Sequence, residues 1–113
     1  MVMETRAPGT TGMRVPAIGM GTLNTFDVSG AEAEESRGAI LDQAYAVGAT
    51  LFDSSPIYGE AERVLAAATG ERRNVALVVD KLWTSDAAGS LPWFDDEARE
   101  HVARLVARLA ASR

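Results

Sequence analysis

Apolar and polar positions along this chain change their period several times, and each change marks an element. The start, Met1 to Gly12, is rich in Gly, Thr and Pro and reads as a flexible arm or a short hairpin. In RVPAIGMGTLNTF, Val15, Ile18 and Met20 form a short strand that Gly19 and Gly21 interrupt. Glycines near the end of a strand let a backbone or a ligand come close, or simply mark a turn. The period then lengthens: Ile40, Leu41, Ala44 and Val47 recur at helical spacing. Ser29 and Glu32 form a capping box before them and Gly48 sits at a left-handed stop, so a helix over Ala31–Val47 is expected. Thr50 to Phe52 favour a strand, and Ala61, Val64, Leu65 and Ala68 predict a second helix closed by Gly70. The run VALVV, Val75 to Val79, has no alternation, as in a strand covered on both faces. After the loop TSDAAGSLPW, Ala98, Val102, Leu105, Val106 and Leu109 make one stripe of a final helix, with Arg99, Glu100, Arg104 and Arg108 opposite. Strand alternating with helix predicts a parallel α/β sheet. No internal repeat and no interdomain linker interrupts the pattern.

Length narrows that picture. The 113 residues suffice for one small domain or part of one, well short of the roughly 200 to 250 of a closed α/β barrel. A formal charge of -5 without clustered Lys or Arg argues against a nucleic-acid partner, whose phosphates need such clusters. The absence of cysteine removes disulfides, thiol catalysis and thiolate zinc sites. With neither a signal-peptide core nor an apolar run of membrane-spanning length, a cytoplasmic protein without a membrane partner is expected.

Parallel α/β folds bind ligands where their strands end, and three predicted strand ends carry reactive groups here. Gly21 and Thr22 follow the first strand, Asp53 and Tyr58 the second, and Lys81 the third. Asp53 and Lys81 are one β/α unit apart, within salt-bridge reach across neighbouring strands. A phenol beside that pair feels the ammonium, which favours its ionised form, so Tyr58 is a candidate general acid or base. Lys81 is the only lysine among eleven basic residues. Lysine can tune a neighbour or form an imine where arginine cannot, although a single lysine is also what biased composition leaves by chance. Asp53 reads equally as a loop anchor and Tyr58 as a rim aromatic. The sole histidine, His101, lies on the polar flank of the last helix and reads as a surface residue. Glu60 and Glu62 suit the start of a helix through its dipole. Trp83 and Trp93 flank the loop after the third strand, either walling a pocket or covering the core edge.

Taken together, VPAIGMGT, GATLFDSSPIYGEAERVL and VALVVDK resemble the aldo-keto reductases, in that family's order and at about its spacing. Gly48, Asp53, Tyr58, Gly59 and Glu62 match the family's most specific motif, and Lys81 its lysine at the end of the next strand. The resemblance runs from about Gly12 to the last helix. It implies a partial (β/α)8 TIM barrel of about the first three β/α units, with residues 1–113 a single incomplete domain. It also implies NADPH-dependent reduction of aldehydes or ketones, with NADH as the less common cofactor and no metal. Tyr58 would then be the proton donor, Lys81 its tuning cation and Asp53 the residue holding Lys81 and helping to position the cofactor. Gly21, Thr22 and Leu23 would lie near the nicotinamide. The family's histidine after strand four has no counterpart, since the chain ends before that strand. The resemblance therefore also admits a truncated, non-catalytic barrel fragment. Such a fragment would act as an interaction module or half of a split enzyme, self-associating or binding a complementing fragment through its open sheet edge.

Overall fold

Two small sheets form between Thr5 and Val79, and the division between them falls inside the segment that the sequence pattern reads as one strand. In the computed structural model, which describes residues 2–81 and residue 107, β1 (Thr5–Arg6) pairs antiparallel with β2 (Val15–Pro16). β3 (Met20–Gly21) instead begins a parallel sheet of order β3-β4-β5, with β4 at Leu51–Asp53 and β5 at Leu77–Val79. Pro16 and Gly19 separate the two roles. Pro16 offers no amide to a ladder, and a Cβ at Gly19 would come within 2.7 Å of the Leu51 carbonyl oxygen. Gly19 thus provides a close backbone approach, one of the two readings its sequence leaves open, whereas among the described residues a Cβ at Gly21 would meet nothing within 4 Å.

The first helix, α1, spans Ala31–Ala46. Its N-cap is Gly30, with no side-chain cap, so the expected Ser29–Glu32 capping box does not form; Glu32 and Glu34 instead face the positive end of the dipole. Gly48 does take the left-handed conformation, φ 78°. Of the apolar stripe, Leu41 and Ala44 are buried, while Ile40 and Val47 are exposed. The second helix, α2 (Ala61–Thr69), is more strongly one-sided and buries Ala61, Val64 and Leu65. A 3-10 helix over Gly70–Asn74 then leads to β5. It takes up the residues just before Val75, so the third strand is shorter than the VALVV run.

Side-chain alternation along β4 decides what faces what. Phe52 is fully buried among Leu41, Ala44, Val64 and Leu65, on the helix side of the sheet. Leu51 and Asp53 therefore point to the other face. The register places Gly21 and Val79 beside Asp53, so Lys81, two residues beyond Val79, returns to that same face. Val78 and Val79 are 37% and 49% exposed, so among the described residues β5 is not the doubly covered strand its composition suggests. Truncating Phe52 to Ala would cost about 3 to 5 kcal/mol. The final helix and the residues Trp83, Trp93 and His101 lie outside the described residues, apart from Ala107, which is helical and exposed. No described helix is long and apolar enough to cross a membrane.

Candidate active site

The ends of the three parallel strands meet in one hydrogen-bonded cluster. Lys81 Nζ lies 2.9 Å from both carboxylate oxygens of Asp53 and donates to the Ser54 carbonyl at 2.6 Å. It stands 5.0 Å from the centroid of the Tyr58 ring. The Asp53 carboxylate, then Tyr58, holds the ammonium charged and raises the Lys81 pKa, against the opposing effect of burial. Lys81 is half-buried, so its charge is shielded without being sealed from a ligand.

The backbone beneath is fixed from both sides. Thr22 donates its amide to the Asp53 carbonyl at 3.0 Å and its hydroxyl to the same oxygen at 2.9 Å. The Ser54 amide donates to the Val79 carbonyl at 2.9 Å. Thr22 is fully buried, and its hydroxyl also lies 3.0 Å from Ser54 Oγ. It thus braces the Asp53 peptide from within. Ser55, 1% exposed, has a hydroxyl with no hydrogen-bond partner among the described residues.

Tyr58 is placed by a turn: its amide donates to the Ser55 carbonyl at 3.0 Å, and its carbonyl accepts the Ala61 amide at 3.0 Å as α2 begins. The ring packs partly against the core. Nearby, burial first and then the Asp80 carboxyl push Glu62 up to about 7. Glu60 belongs to a surface ion network in which Arg63 bonds Glu60 at 2.5 Å and Glu34 at 2.8 Å. The site residues foreseen from sequence therefore fall into two groups. Asp53, Lys81 and Tyr58 come together, whereas Gly21, Thr22 and Leu23 form the neighbouring strand end. Among these Leu23 is half-exposed and Gly21 leaves open space. The bracing by Thr22 and Ser54 and the contact of Asp27 with the Tyr58 loop, described below, were not foreseen. The buried Thr22 after a glycine-interrupted strand was the available signal for the first; the second joins residues 33 apart and leaves none.

The model of the Aldo/keto reductase family matches residues 17–110. The chain belongs to the aldo-keto reductase family. It is 40% identical over 57 residues to an L-galactose dehydrogenase of Arabidopsis thaliana, a match covering 50% of this chain and 18% of that protein. It is 32% identical over 91 residues to a pyridoxal 4-dehydrogenase of Microbacterium luteolum, covering 76% of this chain and 27% of that one. The chain thus spans less than a third of the curated aldo-keto reductase relatives it matches. Two solved structures of Pseudomonas aeruginosa proteins assigned to the aldo-keto reductases superpose with TM-scores of 0.66, at 22% and 23% identity. They cover 88% of this chain and 43% and 41% of theirs. The fold is accordingly α/β, a partial (β/α)8 barrel with the N-terminal aldo-keto reductase motifs in place.

Proposed function

We propose that these residues are the proton-delivery side of an NADPH-dependent reductase that converts aldehydes or ketones to alcohols. The observation that carries this reading is the Asp53–Lys81 contact, 2.9 Å to both oxygens, with the ammonium 5.0 Å from the Tyr58 ring. In it, the Tyr58 hydroxyl gives its proton to the substrate's carbonyl oxygen. Lys81 favours the resulting phenolate by its charge, and Asp53 holds Lys81 in place. When bound, a reduced nicotinamide would provide the hydride that the carbonyl carbon takes up. The rim beside Asp53 suits a flat ring: among the described residues no atom lies within 4 Å of a Cβ at Gly21, and Leu23 offers exposed apolar surface. Gly21, Thr22, Leu23 and Asp53 are the residues we assign to that end of the cofactor, with Thr22 acting through the Asp53 backbone. NADH in place of NADPH leaves these roles unchanged.

The exposed Val78 and Val79 on β5 favour a second reading, in which the chain works with a complementing fragment or a second copy along that edge. One experiment separates the two. Purified chain is mixed with NADPH and an aromatic aldehyde while absorbance and tryptophan emission are followed. Consumption that Tyr58→Phe abolishes supports the reductase. No quenching and no consumption ends autonomous catalysis, and sedimentation of the same sample then shows whether the chain associates.

A further inference from the structure

The loop that carries Tyr58 is tied down by a residue outside the proton-delivery group. Asp27 lies between β3 and α1, directly after Phe26, whose side chain is wholly buried in the core. The Phe26 amide donates to the Thr22 carbonyl at 3.1 Å, and the Val28 amide donates to the Phe26 carbonyl at 2.9 Å. The backbone on both sides of Asp27 is therefore anchored. From this base Asp27 Oδ1 accepts the Glu60 amide at 3.0 Å, across 33 residues of sequence. The carboxylate also fills the space over Gly59, where a Cβ would come within 2.2 Å of Oδ1 and 2.7 Å of Oδ2. Gly59 has φ +57°, a left-handed conformation that only glycine adopts without strain.

Tyr58 precedes this contact by one residue. The two hydrogen bonds its own backbone makes, to Ser55 and Ala61, are local and close turns within the loop. Among the described residues, Asp27 joins the Tyr58 end of the loop to a separate, core-anchored segment. A carboxylate accepting an amide at the start of α2 forms a charge-assisted bond that the helix dipole favours. Without it the flexible Gly59 peptide is free to turn, and the phenol turns with it.

We infer that Asp27 is a positioning residue for Tyr58, holding the Gly59–Glu60 peptide so that the Tyr58 hydroxyl meets Lys81 and the substrate carbonyl together. This rests on the reductase reading for its catalytic meaning, and on contacts independent of it for its mechanics. Proton transfer tolerates little misplacement: a shift of about 1 Å can cost about a hundredfold in rate.

The test uses the chain labelled with 15N and with 13Cζ-tyrosine. Tyr45 and Tyr58 are its only tyrosines, so Tyr45 serves as an internal reference. In Asp27→Ala the Glu60 amide should exchange on the order of tenfold faster, and the Tyr58 resonance should move while that of Tyr45 stays. Asp27→Asn, which keeps an oxygen acceptor, should return both signals toward wild type. If Asp27→Ala does not fold, Asp27→Ser replaces it with the same expectations. With NADPH and aldehyde, Asp27→Ala should lower kcat by about ten- to a hundredfold with little change in KM. Wild-type Glu60 exchange with an unmoved Tyr58 resonance overturns the inference. So does equal displacement of both tyrosines with no rescue by Asn, which marks a merely structural role. The two readings fail separately. Activity that survives Tyr58→Phe removes the phenol from proton delivery whatever Asp27 does, whereas unchanged kcat in Asp27→Ala, beside an inactive Tyr58→Phe, removes only the positioning role.

Discussion

Where the helices feed into the parallel strands, Arg72 stands 4.4 Å from the centroid of the Tyr45 ring and bonds Asp42 at 2.5 Å. Where the same strands end, Lys81 stands 5.0 Å from the Tyr58 ring and bonds Asp53 at 2.9 Å. Both groups consist of an aspartate, a cation and a tyrosine, yet they are built for different ends. Tyr45 lies edge-on to Phe52 at 5.8 Å, and its buried hydroxyl has no hydrogen-bond partner among the described residues. The planar, permanently charged guanidinium of Arg72 covers it as a lid over core material. Tyr58 instead stands at the strand-end rim, next to a compact ammonium fixed by two carboxylate oxygens and a carbonyl. Residue types alone do not distinguish the two groups; the strand ends and the choice of lysine do, and on the proposed reading they make the second one a site.

The largest expected effect separates the two cations. Lys81→Met should reduce NADPH consumption by about two to four orders of magnitude. Arg72→Met should leave that rate unchanged and cost up to about 1 kcal/mol of stability in urea unfolding. Equal losses of activity in the two variants would erase the distinction drawn here.

A smaller effect concerns charge at the strand-end rim. Burial and the Asp80 carboxyl raise Glu62 from 4.5 to about 7. A raised carboxyl means that the folded state binds this proton more tightly than the unfolded chain does. Its contribution to stability is therefore complete below about pH 4.5 and is lost as pH rises through about 7. Glu62→Gln should match wild type near the acid end and exceed it by about 1 to 2 kcal/mol at about pH 8, after discounting for partial exposure. Thermal melts across that range read the difference, and parallel curves for the two proteins would remove Glu62 as the source.

The smallest effect is at Tyr45. Removing a buried hydroxyl without a partner spares its desolvation, so Tyr45→Phe should be neutral or stabilising by up to about 1 kcal/mol. A loss of more than that in a thermal melt would mean that the hydroxyl is bonded and that the strand-start group is more than a packing lid.

Much of this was legible in the residues. Helical spacing located both described helices within a residue or so of their observed limits. The apolar-then-charged endings of TLFD and VALVVDK placed Asp53 and Lys81 on one rim, because strand alternation and parallel register are local rules. The same reading put Tyr58 after the second strand on that rim, and the family motif matched it. The helix cap and the strand division were not legible: Gly30 displaced Ser29 as the cap, and Val15–Pro16 and Met20–Gly21 belong to different sheets. Nothing near Asp27 announces Gly59, and nothing near Arg72 announces Tyr45. Exposure on β5 was missed because an apolar run reports what a strand is able to bury, not which neighbours the described chain provides.

In the proposed reading Lys81, held by Asp53, acts on the Tyr58 phenol, and Arg72 plays no such part. The most direct measurement is the 13Cζ-tyrosine spectrum of wild type, Lys81→Met and Arg72→Met at one pH. Lys81→Met should move the Tyr58 resonance and leave Tyr45 in place, while Arg72→Met should do the reverse. A Tyr58 resonance that stays at its wild-type position in folded Lys81→Met would contradict it.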